Sequence, residues 1–239
     1  MRYWLVMPAA GTSLRFGGGS PKQHAPLAGR TVLELALRLF VDDPRCTAIA
    51  LALLPAALSD TKLCAVLPAK VLPLAGGAQR CDSVLLGLGA LASRAADDDW
   101  VLVHDAARPC LSAGDLERLL ERGATQSAGA LLAAPVTDTL KHADGASGSE
   151  RTVDRRSLWR ALTPQMFRFA DLRAALQSAH EAGRVPTDEA QAIEWQGGRP
   201  LLVPALNSNI KITTSEDLEV AAAILAARAG RQAAPQEDA

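Results

Sequence analysis

Short apolar runs alternate with longer amphipathic segments along almost the whole chain, and this order restricts the possible folds more than any other feature of the sequence. Runs such as residues 3–8 and 100–105 have the length and composition of strands that are buried on both faces. Strands in regular alternation with helices predict a mostly parallel sheet. We therefore predict an α/β fold with a Rossmann-like, mostly parallel twisted sheet and helices on both faces. The predicted strands lie at residues 3–8, 48–53, 70–75, 100–105, 129–136 and 200–205, and the predicted helices at residues 31–41, 82–94, 115–124, 169–183, 185–197 and 213–230.

Chain length and composition bound the number of domains. The chain has 239 residues, of which 49% are hydrophobic, and a chain of this size can bury most of its apolar surface without disulfide bonds. We expect residues 1–230 to form a single domain. We expect residues 231–239, which are mostly small or polar, to form a disordered tail.

Charge, hydropathy and cysteine spacing argue against several classes of protein. Lys and Arg number 25 against 26 Asp and Glu, so the chain has no basic excess with which to bind nucleic acid or an anionic membrane surface. The longest apolar stretch, residues 47–58, contains a proline and is too short to span a bilayer. No two of the four cysteines have CxxC spacing, which argues against a zinc site. Reduced cysteines and the lack of a signal-peptide pattern predict a cytoplasmic protein.

One polar segment, residues 137–156, interrupts the alternation. Its Gly- and Ser-rich middle separates two β-like pieces, residues 138–142 and 151–155. The segment has too few apolar side chains to contribute to a core, so its composition fits either a surface hairpin or a disordered insertion. A functional interpretation is a β-arm that protrudes from the domain and reaches a second subunit.

A glycine-rich loop, residues 8–22, follows the first predicted strand and so lies at the carboxyl edge of the sheet, where open α/β folds bind ligands. Backbone N–H groups that no side chain covers can approach an anion closely, and Arg15 and Lys22 add positive charge. The loop matches neither the Walker pattern nor the dinucleotide-binding pattern of glycines. Its composition leaves two interpretations open, a phosphate-binding loop and a mobile surface loop.

Polar residues also stand at the ends of other predicted elements. Asp105 ends a buried strand, where its carboxylate can hold a metal ion or a ribose hydroxyl, or merely cap the next turn. Residues 75–84 form a glycine turn that opens a helix; its N–H groups suit a polar ligand, although Asp82 or Ser83 as an ordinary N-cap explains the same pattern. Lys211 stands between apolar neighbours, so it faces either solvent or an anion. Because these features all lie at strand ends, we expect them to form one pocket with the glycine-rich loop.

Two of the predicted helices begin with capping patterns. Thr187 is the expected N-cap of one, and Asp188 and Glu189 fall in its first turn, where carboxylates interact favourably with the helix dipole. We assign both carboxylates to capping rather than to catalysis. The last helix is expected to open with a Thr214–Asp217 capping pair.

Several motifs occur in the same order as in one enzyme family. They are PAAGxxxRF followed by PKQ, GGxxRxDSV, VHDAARP, APVxDT, LWxALTPQ, TDEAxAIE and NIKIT. Over about residues 3–226 the chain resembles the 2-C-methyl-D-erythritol 4-phosphate cytidylyltransferases of the non-mevalonate isoprenoid pathway. The resemblance implies a nucleotidyltransferase with a Rossmann-like sheet, which joins CTP to 2-C-methyl-D-erythritol 4-phosphate, uses Mg²⁺ and releases pyrophosphate.

The same resemblance assigns roles to individual residues. The catalytic residues that it implies are Arg15, Lys22, Arg155 and Lys211. The substrate-binding residues that it implies are Asp105, Arg108, Thr139 and Thr163, and Asp105 is also the implied metal ligand. The nucleotide-binding residues that it implies are Ala9, Ala10, Gly11, Gly77, Ser83 and Ala106. In the family, the segment that matches residues 137–156 hooks over a neighbouring subunit, so the resemblance implies a homodimer in which Arg155 works in the partner's site.

The implied reaction needs no covalent intermediate. A phosphate oxygen of the acceptor can attack the α-phosphorus of CTP directly, in line with the departing pyrophosphate. Two alternatives stay open at this point. One is a cytidylyltransferase for another alditol phosphate, such as ribitol 5-phosphate, and the other is a non-catalytic nucleotide-binding module of the same fold.

Overall fold

The computed structural model describes residues 1–11, 16, 21–59 and 67–233. Its strands are β1 (Tyr3–Ala9), β2 (Pro26–Leu27), β3 (Arg30–Thr31), β4 (Cys46–Leu53), β5 (Val71–Ala75), β6 (Trp100–Val103), β7 (Ala130–Pro135), β8 (Leu140–Ala143), β9 (Ser149–Val153), β10 (Trp159–Arg168) and β11 (Leu201–Pro204). Its helices are α1 (Val32–Asp42), α2 (Pro55–Leu58), α3 (Arg80–Leu91), α4 (Ala113–Gly123), α5 (Phe169–Glu181), α6 (Glu189–Trp195) and α7 (Glu216–Ala233). Most of the glycine-rich loop, including Arg15, lies outside the described residues.

Seven strands form the central sheet, in the order β11-β7-β10-β6-β1-β4-β5. All neighbouring pairs are parallel except those of β10, which runs antiparallel to both β6 and β7. The predicted, mostly parallel α/β sheet is therefore confirmed. Because β1 and β6 are parallel neighbours, their carboxyl ends lie side by side and bring the start of the glycine-rich loop next to Asp105.

Strand β10, which has ten residues, is not among the strands predicted from the sequence. Its sequence lacks the apolar alternation of the other strands because it carries Thr163 and Gln165, both of which are buried. The pairing of β10 with β7 is interrupted between Ala161 and Gln165, and Thr163 lies in this interruption. The hydroxyl and carbonyl oxygens of Thr163 therefore accept hydrogen bonds from the loop residues Asp105 and Asn209.

Helices cover both faces of the sheet, as predicted. On one face α1 and α4 pack Phe40 and Leu119 against the strands. On the other face α3 and α5 pack Leu88 and Leu172. All four side chains are fully buried, so each face contributes its own part of the core and the strands between them are covered on both sides.

The start of α6 corrects one of the capping predictions. The N-cap is Asp188, whose carboxylate accepts a hydrogen bond from the backbone N–H of Gln191 at 2.9 Å. Thr187 is not the cap. Glu189, the first residue of α6, is fully buried. Its carboxylate forms an ion pair with Arg80, which belongs to the site described below.

Two further helix starts also use capping carboxylates. At α3 the N-cap is Gln79 and not Asp82 or Ser83; Asp82 lies in the first turn, where its carboxylate accepts the backbone N–H of Gln79 at 3.0 Å. At α7 the Asp217 carboxylate accepts the backbone N–H of Thr214 at 2.8 Å. This helix continues to Ala233, three residues into the predicted tail, and residues 234–239 lie outside the described residues.

The polar segment forms a two-stranded antiparallel hairpin of β8 and β9. This agrees with the hairpin interpretation of its composition. Most of its side chains are exposed. Its proposed role as an arm toward a second subunit stays a prediction.

Two further findings on the described residues concern possible membrane-spanning helices and the state of the cysteines. None of the helices in these ranges combines the length and the apolar composition needed to cross a membrane. Cys46, Cys81 and Cys110 are free thiols, and Cys64 lies outside the described residues.

Candidate active site

A cavity of about 380 Å³ lies at the carboxyl ends of β1 and β6. Lys22, Asp105 and Lys211 line it together. The predicted nucleotide-binding residues that also line it are Ala9, Ala10, Gly11, Gly77, Ser83 and Ala106. Segments that are distant in the sequence therefore meet at this edge of the sheet, as expected from the polar residues at the strand ends.

Backbone forms one wall of the cavity, where β5 leads into α3. A Cβ atom added at Gly76 would lie 2.3 Å from the Cβ of Ala10, and one added at Gly77 would lie 2.4 Å from the Cβ of Asp82. The Ser83 hydroxyl accepts the N–H of Gly77 at 3.0 Å and so fixes this turn. Only glycine allows the two backbone segments to approach so closely, and the resulting wall presents main-chain polar groups to a ligand.

The turn after β6 is fixed by a chain of buried hydrogen bonds. The Asp105 N–H donates to the Thr163 hydroxyl oxygen at 3.1 Å, and this hydroxyl lies 3.0 Å from Nδ1 of His104. Nε2 of His104 lies 3.1 Å from the Arg108 carbonyl oxygen, which can only accept, so Nε2 carries the proton and the Thr163 hydroxyl donates to Nδ1. Burial lowers the pKa of His104 to about 4, which keeps the ring neutral and the hydrogen-bond chain intact.

The Asp105 carboxylate is surrounded by three cations. Nε of Arg80 lies 2.9 Å from Oδ1, and Nζ of Lys211 lies 3.0 Å from Oδ2. Nε of Arg108 lies 3.5 Å from Oδ2. Burial acts to raise the pKa of Asp105, but the three cations, led by Arg80, lower it well below its ordinary value. The carboxylate is therefore ionised, and Lys211 faces an anion rather than solvent alone.

Two residues of this region, Arg80 and Glu189, had no predicted role in a binding or catalytic site. The terminal nitrogens of Arg80 lie 2.6 and 3.1 Å from the two carboxylate oxygens of Glu189. Arg80 also lines the cavity. Both residues stand in motifs of the resemblance, but the capping pattern explained Glu189 locally. Only the fold shows that two residues 109 positions apart form a pair.

Lys22 and Lys211 converge although they stand far apart in the sequence. Nζ of Lys22 donates to the carbonyl oxygen of Ile212 at 2.6 Å, the residue after Lys211. The Ile212 N–H in turn donates to the carbonyl oxygen of Ala107 at 2.8 Å. The two ammonium groups therefore lie in one cavity, beside the turn that carries Asp105.

Arg108 and Thr163 support the cavity from behind rather than line it. Both are less than one-tenth exposed. Arg108 donates to the Asn209 carbonyl oxygen at 2.8 Å, and the Asn209 amide donates to the Thr163 carbonyl oxygen at 2.8 Å. These bonds anchor the segment that leads to Lys211. Direct contact of Arg108 or Thr163 with a substrate stays a prediction.

Thr139 and Arg155 lie elsewhere in the chain. Both are exposed, and neither lines the cavity. The Arg155 guanidinium donates to the carbonyl oxygen of Thr137, at the base of the hairpin. A single chain therefore does not bring these two residues to the other predicted site residues.

Within the described residues there is no cluster of three or more His, Cys, Asp or Glu side chains that could chelate a metal ion. Asp105 nevertheless lines the cavity with an ionised carboxylate. Mg²⁺ is commonly held by one or two carboxylates together with substrate phosphates and water. The residues present therefore fit a Mg²⁺ ion that arrives with a nucleotide, with Asp105 as its protein ligand.

Comparison with known proteins identifies the family. Residues 3–227 match the family model described as 2-C-methyl-D-erythritol 4-phosphate cytidylyltransferase. A relative of that name from Acidithiobacillus ferrooxidans is 51% identical over 233 residues, covering 95% of this chain and 98% of its own length. One from Pseudomonas aeruginosa is 48% identical over 217 residues, covering 90% and 93%.

Solved structures agree with this match. The 2-C-methyl-D-erythritol 4-phosphate cytidylyltransferase of Francisella tularensis superimposes with a TM-score of 0.83 at 32% identity, covering 94% of this chain and all of that chain. The enzyme of that name from Thermus thermophilus superimposes with a TM-score of 0.77 at 34% identity, covering 94% and 98%. The chain belongs to the 2-C-methyl-D-erythritol 4-phosphate cytidylyltransferase family.

Proposed function

We infer that this protein transfers the cytidylyl group of CTP to 2-C-methyl-D-erythritol 4-phosphate, giving 4-diphosphocytidyl-2-C-methyl-D-erythritol and pyrophosphate. As a member of this family, it is a CTP-dependent nucleotidyltransferase. The observation that carries the proposal is the meeting of Lys22 and Lys211 in one cavity with the predicted nucleotide-binding residues. Such a cavity suits two phosphorylated substrates whose anionic groups must be brought together.

Charge repulsion and alignment are the main barriers to the reaction. Both substrates are anions, and a direct in-line attack of the acceptor phosphate on the α-phosphorus of CTP needs them in contact. We assign Lys22 to the charge that develops on the α-phosphate and the departing pyrophosphate, together with Arg15 from the undescribed part of the loop. We assign Lys211 to the acceptor phosphate. Asp105 holds Lys211 at 3.0 Å, and the ammonium group has further N–H donors for the acceptor phosphate.

Asp105 is the residue that we propose for Mg²⁺. When bound, the ion would neutralise charge on the substrate phosphates. The Asp105 carboxylate is suited to this role because it is ionised, lines the cavity and has its backbone fixed by Thr163. Although burial acts to raise the pKa of Asp105, the neighbouring cations lower it well below its ordinary value.

We propose that the protein works as a homodimer in which the 137–156 arm reaches the partner's site. The exposure of Thr139 and Arg155, and their absence from the cavity of their own chain, support this arrangement. Arg155 would then add a cation for the acceptor phosphate of the neighbouring subunit.

The proposal is tested by pyrophosphate release with CTP, ATP, GTP or UTP, each with and without 2-C-methyl-D-erythritol 4-phosphate. We expect release only when CTP and this acceptor are both present. Ribitol 5-phosphate is the matched alternative acceptor. Faster release with ribitol 5-phosphate would reassign the acceptor, and no release with any pair would favour a non-catalytic nucleotide-binding module.

A further inference from the structure

Glu189 is a fully buried carboxylate that the proposed chemistry does not use. Its two oxygens bind the two terminal nitrogens of Arg80, whose side chain is about one-quarter exposed in the cavity. A buried ion pair contributes little to stability compared with apolar residues of the same volume. A contribution to folding stability therefore does not explain why this buried ion pair is present.

The geometry of Arg80 suggests that explanation. An arginine commonly binds a carboxylate through two parallel hydrogen bonds. Here Glu189 accepts one N–H from each terminal nitrogen and so holds the guanidinium in an orientation in which Arg80 reaches Asp105 through Nε and binds Oδ1. The other oxygen of Asp105, Oδ2, is left to Lys211 at 3.0 Å, with Arg108 further away at 3.5 Å.

We propose that Glu189 is a positioning residue for cytidylyl transfer. By holding Arg80 it fixes Oδ1 of Asp105 and keeps Oδ2 exchangeable between Lys211 and the metal ion that accompanies CTP. Without Glu189, Arg80 no longer holds Oδ1 of Asp105 in a fixed orientation. The carboxylate is then poorly placed both for the metal and for Lys211. This inference rests on the proposed function.

The direct test is E189Q, which keeps the size of the side chain and removes its charge. Residues that orient a metal ligand typically change metal affinity or activity by about 10- to 100-fold when they are replaced. We expect kcat to fall by about tenfold or more. The KM for CTP should rise as well, by no more than the loss of metal affinity, because CTP and the metal ion that accompanies it bind together.

A second readout does not depend on turnover. Mn²⁺ serves as the probe: free Mn²⁺ is measured by electron paramagnetic resonance during titration of the enzyme with CTP present and the acceptor absent. We expect E189Q to bind Mn²⁺ about tenfold more weakly than the wild type. Equal Mn²⁺ affinities together with an unchanged kcat would overturn the proposal. A wild-type enzyme that binds Mn²⁺ and CTP but transfers no cytidylyl group would instead overturn the proposed function.

Asp115 provides a matched control. It is also fully buried and paired with an arginine, Arg118, but it does not line the cavity. D115N should lower the free energy of unfolding while leaving kcat and Mn²⁺ affinity at wild-type values. Equal kinetic losses in D115N and E189Q would mean that E189Q acts only through stability, and the proposal would fail.

The double variant R80Q/E189Q covers the case in which E189Q does not fold. It removes both buried charges together, so it leaves no unpaired ion in the core. Asp105 loses the group that holds Oδ1, and we expect Mn²⁺ affinity to fall by about tenfold in this variant as well. A folded double variant with wild-type kcat and Mn²⁺ affinity would contradict the proposal.

Discussion

Each end of the central sheet carries a cluster of charged side chains, and the two clusters differ in what surrounds them. At the amino end of β1 the Tyr3 hydroxyl donates to the Asp43 carboxylate at 3.0 Å, and Arg45 joins Asp43 to Glu117. At the carboxyl end Asp105 is surrounded by Arg80, Arg108 and Lys211 beside the cavity.

The amino-end cluster is self-contained, while the carboxyl-end cluster keeps positive charge for a ligand. Asp43 and Glu117 both bind Arg45, and none of the three lines the cavity. At the carboxyl end three cations meet two carboxylates, Asp105 and the buried Glu189, and Lys22 adds another cation to the cavity. The difference indicates that the amino end contributes to stability and the carboxyl end to binding anions, so variants at the two ends should have separable effects.

The largest effect on kcat is expected for K22A. This variant removes a cation that we assign to charge developing on the transferred and leaving phosphates, so kcat should fall by about 100-fold or more, with a smaller rise in the KM for CTP. Steady-state kinetics over a range of CTP concentrations measures both constants. R94A, which removes an exposed arginine that does not line the cavity, is the control and should keep at least half of the wild-type kcat. A near-normal kcat in K22A would show that its assigned role is wrong.

The next largest effect is expected from mixing subunits. If Arg155 works in the partner's site, R155A and K22A dimers are each inactive, but a heterodimer of the two contains one complete site. Random exchange of equal amounts should then restore about one-quarter of the wild-type activity.

A matched mixture controls for this exchange. R155A subunits mixed with K22A/R155A subunits can form no complete site and should stay inactive. No recovery in the first mixture, when native mass spectrometry detects the heterodimers, would contradict a shared site.

The turn that carries Asp105 should also give the protein a pH-dependent stability. His104 has a folded-state pKa of about 4 because burial disfavours its charged form, whereas an unfolded histidine titrates near 6.5. The stability that the neutral ring provides is therefore complete above about pH 6.5 and is lost as the pH falls toward 4, on the order of 3 kcal/mol in all. Urea unfolding at several pH values measures this loss.

One histidine variant sharpens the pH measurement. H104Q removes the buried ring and should give a flatter dependence of the unfolding free energy on pH between 6.5 and 4. Equal slopes in the wild type and H104Q would mean that the buried His104 is not the group that couples stability to pH.

The smallest effect on activity is expected at the amino end of the sheet. Y3F removes one hydrogen bond to Asp43, which keeps Arg45 as its partner, so the free energy of unfolding should fall by about 1 kcal/mol. Because the change lies at the other end of β1, kcat should stay unchanged. A tenfold fall in kcat would show that the two ends of the sheet are coupled.

Much of the fold could be predicted because alternating apolar strands and amphipathic helices follow directly from where side chains are buried. β10 escaped prediction because Thr163 and Gln165 serve polar contacts and so break the apolar pattern. The positions of Lys22, Asp105 and Lys211 followed from their places at strand ends. The pairing of Glu189 with Arg80 could not be predicted, since a local capping pattern explained Glu189 and only the fold brings the first residue of α6 to the first residue of α3.

The most direct test of the account is a crystal structure of the protein with CTP, Mg²⁺ and a non-reactive analogue of the acceptor. We predict that in this complex the ammonium groups of Lys22 and Lys211 lie within about 3 Å of phosphate oxygens of the bound ligands. Lys22 should contact the triphosphate and Lys211 the acceptor phosphate. Phosphates bound outside this cavity, or a ligand complex in which neither lysine contacts a phosphate, would contradict it.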